Sequence, residues 1–366
     1  MVFGLGQASK WSEWQLTGAH DTPVRARPSI HGGEIHGGEI HADKAWQYEM
    51  RSAIRDSVKL CELLELPASL GERADCSQAG FPVFVPQPFL RRIRVGDPND
   101  PLLKQVLPDP AETTLTEGFS QDPVGDQTSK LQPGVIQKYP GRALLVVNGA
   151  CAIHCRYCFR RHFPYETVPH SPRNWQPVLN QLAQDTRITE LILSGGDPLT
   201  MVDASFRELV DQVAQMPHVQ RLRIHTRLPV VIPSRVTDEL IEALQVCPTT
   251  VVVVHINHPQ EIDEAVSVAL KKLVQAGALV LNQAVLLRGI NDSVDLLADL
   301  SLRLVALRVM PYYLNQLDRV AGAAHFEVPV ARGKAIIQQL ADQLPGYAVP
   351  KYVQDLPDCD SKQRLA

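Results

Sequence analysis

ALLVVNGACAIHCRYCFRRHF, residues 143–163, is the most informative stretch of this sequence. It begins with a short apolar run typical of a buried strand, and it continues with Cys151, Cys155 and Cys158 in a CxxxCxxC spacing. Three clustered thiolates can bind three irons of a 4Fe-4S cluster and leave the fourth iron open to another ligand. Because thiolate-rich sites favour iron–sulfur chemistry, we predict a 4Fe-4S cluster at these cysteines.

Spacing alone leaves two other interpretations of these cysteines open. A zinc site usually has four protein ligands in two separated pairs, and the sequence has no second CxxC or HxxxH pair, so His154 or His162 would have to complete it. The cysteines could also be buried free thiols. Cysteines scattered over a long chain make a poor disulfide framework. We therefore interpret the following as ordinary free thiols: Cys61, Cys76 and Cys247.

Between about residues 142 and 312, apolar runs alternate with segments of helical periodicity. The runs are ALLVV, ELILSG, RLRIHT, TTVVVVHI, LVLNQAVLL and LRVMPYY. Helical spacing covers 205–215, 238–245 and 261–276. This alternation predicts parallel βα units, and hence an α/β fold closed or partly closed into a (β/α) barrel. Active sites of such barrels lie at the carboxyl ends of the strands, where the cysteines stand.

The rest of the sequence predicts two additions to this barrel. Residues 1–130 contain proline-rich connections and helical pieces, including a helix over 44–66, and should form a mainly helical N-terminal extension. The barrel itself should occupy residues 131–330. Residues 331–366 are then a short C-terminal segment.

Composition excludes several classes of function. Charged residues make up 21% and the net charge is -4, so nothing predicts a surface for nucleic acid or anionic membrane. No run approaches the roughly 18 apolar residues of a membrane-spanning helix, and the start lacks a signal-peptide pattern, so we expect a cytoplasmic protein. HGGEIHGGEIHA, residues 31–42, offers His31, His36 and His41, which we interpret as a solvated loop rather than a metal site.

The cysteine motif after a strand resembles the radical S-adenosylmethionine superfamily. In that family the open iron binds S-adenosylmethionine, and an electron from the cluster cleaves it. The resemblance implies that Tyr157, with Phe159 beside it, lines the adenine. ELILSGGDPL resembles the family's GGE-type turn and implies that Gly195, Gly196 and Asp197 bind the cofactor, the glycines by letting the backbone approach it closely.

Further motifs resemble lysine 2,3-aminomutases over roughly residues 135–362; they are CRYCFRRHFPY, RIHTRLPVVIPSRVT, HINHPQEI, NQAVLLRGIND, MPYYLNQLD and PKYVQDLPDCDSK. The resemblance implies an isomerase that moves the amino group of free L-lysine to the adjacent carbon. Such a reaction needs a radical that can abstract an unactivated hydrogen and a π-system that can carry the migrating nitrogen. S-adenosylmethionine and pyridoxal 5'-phosphate provide these two functions. A reducing flavodoxin or ferredoxin would supply the electron.

The resemblance also assigns roles around pyridoxal phosphate. Lys362 matches the lysine that binds this cofactor, although the Gly-rich stretch that precedes that lysine in the family is absent here. Lys351 is the next candidate. Arg142 matches a residue near the cofactor phosphate, where a guanidinium can form two hydrogen bonds. His255 and His258 match residues that help to line the nucleoside pocket, with packing or turn roles as the alternative.

Substrate recognition follows from the two charged ends of lysine. A selective pocket needs a guanidinium for the carboxylate and carboxylates for the distant ammonium. The resemblance implies that Arg160 binds the carboxylate and that Asp318 and Asp355 bind the ε-ammonium. A capping or surface role is the alternative for each aspartate. Specificity for glutamate would require a basic residue at one of the two aspartate positions.

Two forms of the family differ beyond the cofactor lysine. Catabolic enzymes continue with extra cysteines for a structural zinc, whereas this sequence ends four residues after Lys362. RIRVGDPNDPLLKQVLP (92–108) and DPVGD (122–126) also resemble the shorter form. We therefore expect conversion of L-α-lysine to (R)-β-lysine, which a separate ligase attaches to translation elongation factor P. The alternatives are a catabolic enzyme that makes (S)-β-lysine, a related amino-acid 2,3-aminomutase, and a noncatalytic metal-binding module; a homo-oligomer is left open.

Overall fold

The computed structural model describes residues 44–76, 81–169, 172–357 and 359–366, so the duplication at 31–42 lies outside the described residues. The helices are α1 (Ala45–Arg51), α2 (Ser57–Leu63), α3 (Ala68–Cys76), α4 (Gln87–Leu90), α5 (Pro101–Lys104), α6 (Pro172–Gln184), α7 (Asp203–Ala214), α8 (Leu228–Val231), α9 (Asp238–Leu244), α10 (Glu264–Gln275), α11 (Val294–Ala306) and α12 (Val330–Gln343). Among these described helices, none has the length and apolar character needed to cross a bilayer.

The strands are β1 (Lys130–Gln132), β2 (Val135–Ile136), β3 (Arg142–Asn148), β4 (Glu190–Gly195), β5 (Arg221–Thr226), β6 (Thr250–His255), β7 (Leu279–Val285), β8 (Met310–Asn315), β9 (Lys351–Gln354) and β10 (Gln363–Arg364). They form one sheet whose spatial order follows the chain order. Strands β3 to β9 are parallel to one another, and antiparallel strands flank them at both edges. A helix lies between successive parallel strands, as such crossovers require. The predicted α/β fold is confirmed.

The apolar runs reflect a sheet that is covered on both faces. In β6, Val252 and Val254 belong to the main hydrophobic core, whereas Val251 and Val253 pack with Leu281 in a separate cluster on the other face. Burial on both faces removes the need for alternate polar residues. The second face is the interior of the barrel.

The sheet is curved so strongly that its first and last parallel strands approach each other. Lys138 and Tyr139 precede β3, and both donate hydrogen bonds to Asp355, which follows β9; the tyrosine hydroxyl does so at 3.0 Å. In a flat sheet these strands would lie about 29 Å apart, given a spacing of about 4.8 Å between neighbours. The described edge strands β1 and β10 are not paired with each other, so the barrel is a partial one.

Two predicted helices differ from the structure in their bounds. The helix expected over 44–66 is divided into α1 and α2, because Ile54 between them forms a β-bridge with Val85. The helix expected over 261–276 begins only at Glu264, because the residues before it form a 3-10 turn. In the first place a contact distant in sequence overrides local helical spacing, and in the second a local capping box does so.

One hydrophobic cluster contains side chains from each of the three predicted regions, among them Trp46, Leu145 and Tyr352. The division of the chain at residues 130 and 330 stays a prediction. The C-terminal segment is an integral part of the sheet, because β9 pairs with β8 and β10 pairs with β9.

Helix α12 packs unusually close to β9. A Cβ atom at Gly333 would lie 2.2 Å from the hydroxyl oxygen of Tyr352. That tyrosine is fully buried, and its hydroxyl donates to Gln316, so the ring cannot move aside without losing this bond. Glycine at 333 therefore holds the helix against the strand that leads to Asp355.

Gly333→Ala should destabilise the protein by about 1 to 3 kcal/mol, the usual cost of overpacking a core. The measurement is urea unfolding followed by circular dichroism. Gly346→Ala is the matched control, because a Cβ atom there meets no atom within 4 Å, and its effect should stay within about 0.5 kcal/mol. Equal effects of the two changes would contradict this account of the packing.

Candidate active site

The three motif cysteines lie on the loop that follows β3, at the carboxyl edge of the parallel strands. Burial is the main reason that the pKa of Cys151 lies well above its usual range, and Cys158, Asp197 and Cys155 raise it further. Burial likewise raises the pKa of Cys158 to about 11. The thiols are therefore close enough to sense one another's charge. A set of three sulfur donors in a partly buried loop fits a 4Fe-4S cluster, whose positive irons would favour the thiolates.

The histidines that could have completed a zinc site are engaged elsewhere. Nδ1 of His154 lies 2.7 Å from the carbonyl oxygen of Pro82, and its ring stacks on Phe81. Nε2 of His162 lies 3.2 Å from the carbonyl oxygen of Ala321. No three His, Cys, Asp or Glu side chains in the described ranges are grouped closely enough to hold a single metal ion. Each of these two histidines is therefore held by a backbone carbonyl group in this structure.

The two glycines of the GGD turn are required by the packing of two loops. Gly195 has φ +127°, and a Cβ atom there would lie 2.5 Å from the carbonyl oxygen of Asn148. A Cβ atom at Gly196 would lie 2.2 Å from the carbonyl oxygen of Ala150. Only residues without a Cβ atom allow the loop after β4 to lie against the cysteine loop. The predicted contact of these glycines with the cofactor stays a prediction.

The carboxylate of Asp197 joins the ends of two neighbouring strands. It accepts hydrogen bonds from the backbone N–H groups of Leu199 (3.0 Å), Arg227 (2.7 Å) and Leu228 (3.1 Å) and from the hydroxyl of Thr226 (2.7 Å). These bonds use both carboxylate oxygens and fix the end of β5 against the end of β4. The sequence analysis did not anticipate this structural role, and binding of the cofactor by Asp197 stays a prediction.

Tyr157 lies in a buried polar network beside the cysteines. Its hydroxyl accepts a 2.6 Å hydrogen bond from Nδ2 of Asn257 and lies 3.0 Å from Nε2 of His255. Its ring stacks on His255 and meets Phe326 edge to face. Burial, together with the charge of Arg227, lowers the pKa of His255 to about 3, so its imidazole is neutral at physiological pH. The predicted adenine contacts of Tyr157 and His255 stay predictions.

His258 has the turn role that the sequence left as an alternative. Its Nδ1 accepts a 3.1 Å hydrogen bond from the backbone N–H of Gln260, and it begins a capping box with Glu261. The side chain is therefore committed to the 3-10 turn that follows β6.

Arg160 is buried and held in a fixed orientation. Its Nε donates to Asp126 at 2.6 Å, and its Nη1 donates to the hydroxyl of Ser194 at 2.9 Å. The guanidinium lies over the ring of Phe159. Sequence reasoning missed Asp126 as a site residue, although it had singled out the DPVGD stretch that contains it. Neither hydrogen bond uses Nη2 of Arg160, which is the nitrogen available to a ligand.

The structure brings Lys362, Asp355 and Asp318 together near the end of β9. Nζ of Lys362 lies 3.2 Å from Oδ2 of Asp355 and donates to Oδ1 of Asn315 at 3.3 Å. The other oxygen of Asp355 accepts from Lys138 and Tyr139. Asp355 is therefore already paired with two ammonium groups.

Asp318 differs from Asp355 in its charge balance. Burial raises the pKa of Asp318 to about 7; Lys362 opposes this rise, and Asp355 adds to it. Burial also raises the pKa of Asp355, but the charges of Lys362 and Lys138 outweigh it, and the net shift is downward. Within the described residues Asp318 has no ion-pair partner, so it is the carboxylate best placed to accept an added cation.

Lys351 and Arg142 each lie over a tyrosine ring rather than beside Asp355. Lys351 begins β9 at the opposite end from Asp355, and its ammonium lies 5.8 Å from the ring centre of Tyr312. Arg142 stacks its guanidinium 5.3 Å from the ring centre of Tyr139. The assignment of the cofactor lysine to Lys362 and the phosphate contact of Arg142 both stay predictions.

His225, in β5, is a partly buried side chain that senses charges from both groups of predicted substrate and cofactor residues. Its Nε2 is buried and has no hydrogen-bond partner among the described residues. Burial lowers its pKa well below the usual value, and Arg160 and Lys362 are among the charges that lower it further. Both charged groups therefore lie within electrostatic range of one interior side chain. The polar alternation of RLRIHT was the sequence signal that could have revealed His225.

Comparisons with known proteins agree with this geometry. A family model described as a 4Fe-4S single cluster domain matches residues 139–228. L-lysine 2,3-aminomutase of Haemophilus influenzae is 42% identical over 315 residues, which are 86% of this chain and 93% of that protein. The chain belongs to the lysine 2,3-aminomutase family. The chain is 43% identical to the Escherichia coli member, and the match spans 94% of that protein. It is 34% identical to the Clostridium subterminale member, and that match spans 75% of the relative.

Membership in the lysine 2,3-aminomutase family makes the protein an isomerase, and its cofactors are a 4Fe-4S cluster, S-adenosylmethionine and pyridoxal phosphate. When bound, these groups supply an electron, a hydrogen-abstracting radical and a π-system for the migrating nitrogen. The residues described above fit them. Three thiols lie on the loop after β3, and Lys362 lies beside Asp355 near the end of β9.

Asp318→Asn should stabilise the cofactor-free protein at pH 8 by on the order of 2 kcal/mol, because a carboxylate with a raised pKa is destabilising when ionised in the folded state. Lys362, Lys138, Asp355 and Asp126 are the charges that face it. Between pH 7 and about 4 the folded native protein takes up a proton that the unfolded chain lacks. The advantage of the variant should therefore shrink by more than half at pH 5.

The measurement is urea unfolding of the native protein and the variant at both pH values. Asp342→Asn, at an exposed position of α12, is the control and should show no such pH-dependent difference. A stability difference that is the same at pH 8 and pH 5 would contradict the raised pKa of Asp318.

Proposed function

We propose that this chain converts L-α-lysine to (R)-β-lysine, which a separate ligase attaches to translation elongation factor P. The observation that carries the lysine specificity is the arrangement of charge in one barrel mouth. Arg160 offers a guanidinium nitrogen that its two hydrogen bonds leave free, and Asp318 offers an unpaired carboxylate. Cys151, Cys155 and Cys158 are proposed to hold the cluster, and Lys362 to hold pyridoxal phosphate.

The proposed binding mode uses each charge of lysine once. The substrate carboxylate would accept from Arg160, and the ε-ammonium would meet Asp318 beside Asp355. A substrate with an uncharged side chain would leave a buried carboxylate unpaired, which is costly. Glutamate would place its side-chain carboxylate against the two aspartates and would be repelled. The arrangement therefore supports lysine over a related amino acid.

The proposed product and its destination rest on the two stretches that resemble the shorter form of the family. Both of these stretches contribute contacts at the site. Gln105 of the first stretch accepts a hydrogen bond from Tyr157, and Asp126 of the second accepts one from Arg160. Elongation factor P acts in translation, so this role requires a cytoplasmic enzyme. The electron would come from a reduced flavodoxin or ferredoxin.

A catabolic enzyme that makes (S)-β-lysine is the second candidate. It would use the same cysteines, lysine and aspartates, so the residues that recognise lysine do not discriminate between the two. The configuration of the β-lysine product discriminates between them.

The enzyme should release (R)-β-lysine after anaerobic reconstitution with iron, sulfide, pyridoxal phosphate, S-adenosylmethionine, dithionite and L-lysine. Chiral chromatography of the product is the measurement. (S)-β-lysine would favour the catabolic candidate, and absence of any β-lysine from enzyme with a full complement of cofactors would contradict the proposed function.

Asp318→Asn should lower kcat/KM for lysine about 10- to 100-fold through loss of one charge-assisted hydrogen bond.

Lys362→Ala should abolish the visible absorbance of bound pyridoxal phosphate, because in the described structure Lys362 is the ammonium that contacts both Asn315 and Asp355, whereas Lys138 is held by Asp355 and the carbonyl of Val124. Lys351→Ala is the matched control and should retain that absorbance, since its ammonium lies over Tyr312. The reverse outcome would move the cofactor lysine to Lys351. Spectra are taken on gel-filtered protein so that free cofactor does not contribute.

A further inference from the structure

Arg227 is a buried cation in contact with one of the motif cysteines. Its side chain is 7% exposed, and its Nη1 lies 2.7 Å from Sγ of Cys155. Its Nη2 donates to Oε1 of Gln105 at 2.7 Å and to Oε2 of Glu261 at 2.9 Å. The two terminal nitrogens therefore point to different partners, and one of them points at sulfur.

The surroundings of Arg227 leave its guanidinium little freedom to turn away. Glu261 is completely buried, and its other oxygen accepts from the backbone N–H groups of Asn257 and His258. The guanidinium carbon lies 5.5 Å from the ring centre of Phe89 and 5.9 Å from that of Tyr157. Rigid partners on several sides thus fix the direction of the N–H group that meets the sulfur.

The backbone of Arg227 is fixed as well as its side chain. Its N–H donates to Asp197, whose carboxylate joins the ends of β4 and β5. The residue therefore stands at the carboxyl edge of the sheet, directly after β5, and β4 separates β5 from the strand that leads to the cysteine loop. Neither the predicted cofactor contacts nor the substrate contacts account for this arrangement.

We propose that Arg227 is a positioning residue that donates a hydrogen bond to the Cys155 thiolate and thereby raises the reduction potential of the cluster. Reduction adds one electron, and hence one negative charge, to the cluster; the arginine transfers neither a proton nor an electron. A hydrogen bond to a ligating sulfur favours the more negative state. The inference rests on the proposed ligation by Cys151, Cys155 and Cys158, and it is independent of which β-lysine is made.

Glu261 has the opposite effect in this account. Its carboxylate partly neutralises Arg227, so the potential depends on the balance of the pair. Removing the arginine leaves a buried anion beside the cluster and disfavours the added electron. Removing the charge of the glutamate leaves an uncompensated cation, which favours the added electron. A pair with a purely structural role would produce no such opposition of sign.

The test is an anaerobic redox titration of the reconstituted full-length enzyme, with dithionite as reductant and the reduced cluster measured by electron paramagnetic resonance. Arg227→Gln should lower the ratio of reduced to oxidised cluster at a fixed potential by about tenfold, equivalent to about 59 mV for one electron. Glu261→Gln should raise that ratio. Arg227→Lys, which keeps the charge but has no guanidinium fork, should lie between Arg227→Gln and the native enzyme.

Iron and sulfide per chain are measured for every variant, so that loss of the cluster is separated from a change in its potential. An unchanged potential in fully loaded Arg227→Gln would overturn the proposal. If that variant does not hold the cluster, Glu261→Gln decides, and an unchanged or lowered potential there would overturn it. Chiral analysis of the product takes no part in this test, so failure of the proposed function and failure of this inference are told apart.

Discussion

Everything at the site depends on the contact between the two ends of the parallel sheet. Asp355, after β9, accepts hydrogen bonds from Lys138 and Tyr139, which precede β3. This contact joins the two ends of seven parallel strands, so that their carboxyl edge surrounds a single mouth. Without it, the cysteine loop after β3 and the lysine after β9 would lie on opposite sides of an open sheet. The same carboxylate also holds Lys362, so fold closure and the proposed cofactor site share one side chain.

Most of the buried charges at the site are paired with a neighbour of opposite charge, but one carboxylate is not. Arg160 is paired with Asp126, Arg223 with Glu190, and Arg227 with Glu261. Such pairs are costly to bury. Arg160, Arg227 and Glu261 are hydrogen bonded to further groups as well, which limits their alternative arrangements. Asp318 stands out because it lacks a partner in the described structure. An unpaired carboxylate between two lysines is a natural receptor for a further ammonium group.

The loops around the cysteines are fixed by main-chain contacts that leave no room for side chains. Gly195 and Gly196 lie against the backbone of the cysteine loop, and Asp197 ties the next strand to the same edge. A radical enzyme benefits from such rigidity, because a reactive species must meet only the intended hydrogen atom. Arg227 adds an electrostatic element to this frame, since it joins a motif cysteine to a buried carboxylate.

The amino-acid sequence alone determined the α/β class, the strand order along the chain and the type of cluster, because apolar periodicity and cysteine spacing are local properties. Resemblance added Arg160, Asp318, Asp355 and Lys362 as one set. Tertiary structure alone decided that Asp355 is already paired whereas Asp318 is not, that Asp197 joins two strands, and that α1 and α2 are separate helices. It also revealed Asp126, His225 and Arg227. The partners of Asp126 and Arg227 are distant in the chain, and charge balance in a buried site depends on which groups meet in space.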